Sequence, residues 1–244
     1  MYCIFLSDAH LKGRTDKNQD RIVNFLKAVK KEHPDIIFFL GDIFDYWISP
    51  GGFVDPVYIP LLNIMRELDE QNIKMYYNVG NHDFMVKRTF ESLFKNLNIV
   101  GDSIDITLDN TRCFITHGDM IDYTDKRYRL LRSILRSRVM NVMADILPVS
   151  ITKRIALSLS RHSRESWTVK RTMPDYVIKE FVKNKAEQGF DVVVSAHFHV
   201  PEMRKYLFSN KEVLYINTGN WFNAYSYLLF KDSRFDLKYY NGSL

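Results

Sequence analysis

The stretch 35–47, DIIFFLGDIFDYW, decides the fold. Ile36 to Leu40 form an unbroken apolar run with no polar face, the pattern of a strand buried on both sides. Gly41 ends the run, and Asp42 and Asp45 follow with no basic residue beside them. A carboxylate at the mouth of a buried strand is costly unless positive charge reaches it from elsewhere.

The same construction recurs along the chain. YCIFLS (2–7) is short, apolar and stops at Asp8. KMYYNVGNHD runs into Asn81, His82 and Asp83, TRCFITHGD into His117 and Asp119, and DVVVSAHFH into His197 and His199. Amphipathic helices separate these runs. NQDRIVNFLKAVKKEH carries Ile22, Val23, Phe25, Leu26 and Val29 on one face and is ended by Pro34. PVYIPLLNIMRELDEQN, the short TFESLFKNL, and DYVIKEFVKNKAEQ up to Gly189 read as further helices. IDITLDN and TRCFITHGD suggest a hairpin around Asp109-Asn110-Thr111, and EVLYINTGNW, SYLLFKD and FDLKYYN read as strands. Apolar strands alternating with helices predict an α/β sheet covered by helices.

Residues 126–171 break the pattern. They read as one helix near 127–147, carrying Leu130, Leu131, Ile134, Leu135, Val139, Met143 and Leu147, and broken by Pro148. A second begins at a Ser150 cap with Ile151, Ile155 and Leu159. The segment holds twelve Lys and Arg against two acids, a net of +10 in a chain whose formal net charge is +5. Such localised charge points to an anionic partner: phosphate, nucleic acid or a membrane surface. The segment is expected to be an insertion within a single domain spanning 1–244.

With 244 residues, 46% of them hydrophobic, the chain can bury one substantial core. The opening MYCIFLSD has no basic region and too short an apolar run for a signal peptide. No stretch approaches the ~18–20 apolar residues of a membrane span. Cys3 and Cys113 lie in strand-like runs without CxxC or Cys–His spacing and read as reduced core thiols of a cytosolic protein.

Five strand ends carrying Asp, Asn or His are hard to explain as packing, although D-x-H, H-x-H or GD alone would be weak. Their donors are oxygens and imidazoles with no thiolate, a set suited to Mn²⁺, Zn²⁺ or Fe²⁺ rather than Ca²⁺ or Mg²⁺. Seven ligands exceed the needs of one ion, but two ions sharing a carboxylate would use them all, an arrangement that serves phosphoryl displacement.

The series D-x-H, G-D-x-x-D, G-N-H-D, H-G-D, H-x-H, over residues 8 to 199, resembles the calcineurin-like metallophosphoesterases. The resemblance implies a four-layer αββα sandwich with a helical cap insertion. It implies that Asp8, His10, Asp42 and His199 bind one divalent ion and Asp42, Asn81, His117 and His197 the other, Mn²⁺ being expected first. His82 would act on the scissile phosphate and leaving oxygen, with Asp83 orienting it. Asp119 and Asp45 are outside the ligand set, Asp119 as a support or structural residue and Asp45 as a support or surface residue.

Within that family the chain is similar to the bacterial UDP-2,3-diacylglucosamine diphosphatases of lipid A biosynthesis. The matching stretches are SDAHL, GDIFDYW with Trp47, GNHDF with Phe84, HGD followed by Asp125 and Tyr128, RHSRESW, and HFHVP with Pro201. This resemblance implies that the insertion caps the site and holds an acylated sugar phosphate. Asp125, Tyr128, Arg161, Ser163 and Arg164 then become candidate substrate residues. The implied reaction is water attack on the uridine-side phosphorus, releasing UMP and 2,3-diacylglucosamine 1-phosphate, in a cytoplasmic protein peripheral on the inner membrane face. Two departures stand out: His82 replaces an arginine of those enzymes, and Ala196 replaces a glycine. His82 keeps open an alternative, a soluble metal-dependent phosphodiesterase or nucleotide pyrophosphatase. A nucleic-acid partner is not expected, because the basic segment interleaves its charges with aliphatics rather than the aromatic platforms of single-strand binders. No obligate protein partner is implied.

Overall fold

A computed structural model describes residues 1–12, 17–47, 49, 52–146, 151, 154 and 173–244. Its strands are β1 (Cys3–Leu6), β2 (Ile36–Phe39), β3 (Lys74–Asn78), β4 (Leu97–Val100), β5 (Ser103–Leu108), β6 (Thr111–Thr116), β7 (Val192–Ser195), β8 (Glu202–Phe208), β9 (Lys211–Asn217), β10 (Ser226–Lys231) and β11 (Arg234–Tyr239). Its helices are α1 (Lys17–Lys31), α2 (Ile59–Glu70), α3 (Lys87–Leu93), α4 (Lys126–Leu135), α5 (Arg138–Ile146) and α6 (Asp175–Glu187).

The strands form two sheets, in the orders β11-β10-β1-β2-β3-β4 and β5-β6-β7-β9-β8. In the first, β1 to β4 are parallel, and β10 closes the other side of β1 antiparallel. In the second, β6, β7 and β9 are parallel, with β5 and β8 antiparallel at the edges.

The continuous apolar strands make sense because each supplies two cores. Cys3, Phe5, Ile36 and Phe38 face the second sheet and meet Cys113, Ile115, Val192 and Val194. Their alternates Ile4, Leu6, Ile37 and Phe39 face outward, against Ile22, Phe25 and Leu26 of α1 and Leu61, Met65 and Leu68 of α2. Val193, Val213 and Tyr215 of the second sheet likewise pack on Ile178 and Val182 of α6. The layers are therefore helix, sheet, sheet, helix. Both cysteines are free and buried, and burial pushes each thiol up to about 12.

Three expectations need correction. The helix read over 127–147 is two helices, because α4 ends at Leu135 and the Ser137 hydroxyl accepts from the Met140 amide at 3.3 Å to start α5. TFESLFKNL is a helix only to Leu93, and β4 follows it. β8 was not expected at all; as an edge strand it carries exposed Arg204 and Lys205 instead of an apolar run. The second insertion helix, with Arg161, Ser163 and Arg164, lies outside the described residues apart from positions 151 and 154. Among the described residues no helix is long and apolar enough to cross a membrane.

Candidate metal centre

Every parallel strand of both sheets ends on one side of the sandwich, so the strand-end residues converge there. Asp8 and His10 follow β1, Asp42 follows β2, Asn81 and His82 follow β3, His117 follows β6, and His197 and His199 follow β7. The backbone is unusual at these points. Asp8, His10, Asp42, His197 and His199 all have positive φ, between 44° and 68°. Left-handed backbone is disfavoured for side-chain-bearing residues, and clusters of it mark functional sites. Gly41 and Gly80 allow the β2 and β3 turns to touch: a Cβ on Gly80 would lie 2.1 Å from Asp42 Oδ1, and one on Gly41 2.7 Å from Gly80 Cα.

Two ligand clusters result. The donor atoms of Asp8, His10 and His199 lie within 4.8 Å of one another, as do those of Asp42, His117 and His197. His199 Nε2 is 3.1 Å from Asp8 Oδ1 and 3.2 Å from His10 Nε2. His117 Nε2 is 3.2 Å from both Asn81 Oδ1 and His197 Nδ1, and 3.5 Å from Asp42 Oδ2. Asp42 Oδ2 also lies 3.9 Å from His10 Nε2, so this carboxylate stands between the clusters.

The donor chemistry fits bound cations. His117 Nδ1 sits 2.7 Å from the Leu40 carbonyl, which only accepts, so Nδ1 carries the proton. Its Nε2 therefore faces the oxygens of Asp42 and Asn81, acceptors that either a second proton on the ring or a bound cation can meet. His10 turns Nε2 toward Asp8, Asp42 and His199, while its buried Nδ1 has no hydrogen-bond partner among the described residues. Burial opposes a proton on His117, yet the Asp42 carboxylate raises it to about 10. Burial would raise Asp42, but His117 and His82 hold it well below the usual carboxylate range. Burial lowers His10 to about 3, with His82 adding to it, and lowers His197 to about 4, with His117 adding. Both therefore stay neutral and keep a lone pair to give.

His82 donates its backbone N–H to Asp42 Oδ1 at 2.9 Å, and its Nε2 lies 4.0 Å from Asp42 Oδ2. Its ring Nδ1 is 2.8 Å from the Asp45 carbonyl. This corrects one expectation. Asp83 does not orient the ring: its carboxylate accepts from the amides of Ile43 (3.0 Å) and Gly80 (2.8 Å) and from the Tyr77 hydroxyl. Burial and the nearby Asp42 raise it to about 6. Of the two places expected for Asp45, support and surface, the structure gives it the first: it is 2% exposed and grouped with His10 and His82. Trp47 is a core residue, its ring against Phe44, Tyr58 and Phe90 and its amide donating to the His82 carbonyl at 3.0 Å.

The remaining sites of interest lie around His117. Asp119 accepts from the Tyr128 hydroxyl at 2.6 Å and from Arg132 Nε at 2.7 Å. Asp125 caps α4, accepting from the Tyr128 amide at 2.9 Å. A model of the calcineurin-like phosphoesterase family matches residues 1–201. The chain is a calcineurin-like phosphoesterase. Membership implies a dinuclear divalent site, to which the two clusters correspond, and makes the protein a metal-dependent phosphoester hydrolase. The phosphoesterase is 24% identical over 238 residues to a UDP-2,3-diacylglucosamine hydrolase of Aliivibrio fischeri, covering 97% of this chain and 98% of the relative. It is also 24% identical over 237 residues to one of Vibrio cholerae serotype O1, covering 94% and 95%. Among solved structures, an archaeal phosphodiesterase aligns over 98% of the phosphoesterase and 100% of its own chain, with TM-score 0.47 and 15% identity.

One strand end escaped the sequence reading. After β9 the turn Asn217-Thr218-Gly219-Asn220 supports the phosphoesterase's ligand loops. Asn220 Nδ2 donates to the His199 carbonyl at 2.8 Å, and the Trp221 amide donates to the Asp8 carbonyl at 3.0 Å. The run of four polar or glycine residues after EVLYI was the available signal.

Proposed function

We propose that this phosphoesterase hydrolyses the pyrophosphate of UDP-2,3-diacylglucosamine to UMP and 2,3-diacylglucosamine 1-phosphate. The observation that carries the reading is the end-to-end match to hydrolases of that name: at 97% coverage it includes residues 126–171, the segment expected to be an insertion. The exposure of Leu130, Leu131, Ile134, Val139, Val142 and Ile146 supports it, since an acyl chain needs apolar surface beside cationic side chains.

Asp8, His10, Asp42 and His199 would hold one divalent ion, and Asp42, Asn81, His117 and His197 the other. Mn²⁺ is proposed first, because imidazole and carboxylate donors together suit it better than Mg²⁺. Two such ions supply Lewis-acid polarisation of the phosphoryl oxygens and a more acidic water. The water oxygen forms the new bond to the uridine-side phosphorus as the bond to the bridging oxygen breaks. His82, its ring set by the Asp45 carbonyl, would donate from Nε2 to that departing oxygen. Asp83 would fix the turn beneath His82 through the amides of Ile43 and Gly80. Asp125, Tyr128, Arg161, Ser163 and Arg164 remain the proposed substrate residues, and 126–171 the proposed lid.

Purified protein with Mn²⁺ and UDP-2,3-diacylglucosamine should release UMP. Failure to do so while an aryl phosphodiester is still turned over would overturn the substrate. The second reading, a soluble phosphodiesterase or nucleotide pyrophosphatase, is favoured by His82. It requires similar rates on acylated and deacylated substrate, so a marked preference for the acylated one removes it. A cytoplasmic, membrane-peripheral location follows from the lipid substrate and the basic segment. It predicts salt-sensitive sedimentation with anionic vesicles, and absence of binding at low salt would refute it.

A further inference from the structure

Helix α4 is attached to the rest of the molecule in an inverted way. None of its residues is buried, and Leu130, Leu131 and Ile134 are 63%, 45% and 50% exposed. What holds it is a polar stripe, Tyr128, Arg132 and Arg136, four residues apart and so on one face. Tyr128 and Arg132 share Asp119, beside His117, and Arg132 Nη2 also reaches Asp102 at 2.6 Å. Arg136 goes further. Its Nη1 donates to Asp102 Oδ1 at 3.0 Å and the Gly101 carbonyl at 3.3 Å, and its Nη2 to the carbonyls of Val79 at 3.0 Å and Gly80 at 3.1 Å. Val79 and Gly80 are the two residues before Asn81.

We propose that Arg136 is a positioning residue for the ion site that Asn81 completes. It rests on the dinuclear site and not on the choice of substrate. Gly80 is the point where the β3 turn meets the bridging carboxylate, since its missing Cβ leaves room for Asp42 Oδ1, and its N–H is held by Asp83. The Gly80 carbonyl is the other end of the same unit, and Arg136 holds it together with its neighbour. A guanidinium, with five donors in a rigid planar fork, can hold two consecutive carbonyls and a carboxylate at once; an ammonium is a point charge and cannot hold all three in one plane. Rotation of the Val79 and Gly80 peptides would change the spacing of Asp42 and Asn81, so Arg136 sets that spacing from helix α4.

The test is Mn²⁺ titration by calorimetry into the metal-free full-length protein, its Arg136→Met, Arg136→Lys and Asp102→Asn variants, with metal-free Tm and steady-state kinetics on an aryl phosphodiester. Wild type is expected to bind two ions. Arg136→Met is expected to keep one affinity and lose about 10–100-fold in the other, the range for partners that orient metal ligands, with kcat falling similarly at near-constant KM. Arg136→Lys should recover part of the loss, and Asp102→Asn should shift the same site less. An unchanged second affinity in Arg136→Met overturns the proposal. So does equal weakening of both sites with a fall in metal-free Tm that lysine does not restore, which would make the residue merely structural. If Arg136→Met does not fold, Asp102→Asn decides, an unchanged second affinity again overturning it. A wild type that binds fewer than two ions sinks the dinuclear reading itself, and the proposal with it.

Discussion

Asp42 answers for its own burial. It is 1% exposed, it accepts the His82 amide, and it stands between two groups of imidazoles. A carboxylate so placed gains more from a cation than from any neighbour in the chain. Asp42→Ala is therefore expected to abolish turnover and to lower bound metal below two ions per chain, read by elemental analysis of dialysed protein. Full activity with two ions would show that Asp42 does not bridge. At this scale the sequence is very legible, because Asp8, His10, Asn81, His117, His197 and His199 each sit at the end of an apolar run. What it hides is contact made through backbone. The Asp45 carbonyl that sets the His82 ring, and the Val79 and Gly80 carbonyls taken by Arg136, carry no side-chain signature, and Arg136 lies more than fifty positions away.

Elements were legible in proportion to how fully they are buried. β1, β2 and β7 are buried on every residue, so their apolar runs survive intact in the sequence. β8, at a sheet edge, is not, and β4 follows α3 without a glycine or proline to mark the change. Helix α4 is the instructive case, since its apolar periodicity marks a helix but not its end at Leu135, nor the polar stripe of Tyr128 and Arg132 that holds it to Asp119. Its first turn gives a test that separates two roles of Asp125. Asp125→Ala removes the cap and should cost about 1 kcal/mol, whereas Asp125→Asn keeps a capping oxygen and should cost little. Thermal unfolding measures both. If Asp125 also binds substrate, Asp125→Asn will raise KM with Tm unchanged; if KM stays at the wild-type value, its role is the cap alone.

The whole molecule is two sheets whose parallel strands deliver ligands from residue 8 to residue 199 to one place. The ions should then act as a fastening between the sheets, because each cluster draws on both: Asp8 and His10 with His199, and Asp42 with His117 and His197. Saturating metal at a hundred times its Kd adds about 2.7 kcal/mol per site. In a chain of this size each kcal/mol moves Tm by about 2–4 °C, so Mn²⁺ should raise Tm by several degrees and EDTA should reverse it. A Tm indifferent to both would mean that the ions bind the folded and unfolded chain alike. The place of β1 has a further consequence for biogenesis. It is made before β2 to β11, yet its antiparallel neighbour is β10, which begins at Ser226. At translation speeds of about 5–20 residues per second, the nascent chain waits roughly 10–45 s with one edge of an entirely apolar strand unpaired. His199 is made 191 residues after Asp8, so the centre cannot gather all its ligands until His199 has emerged.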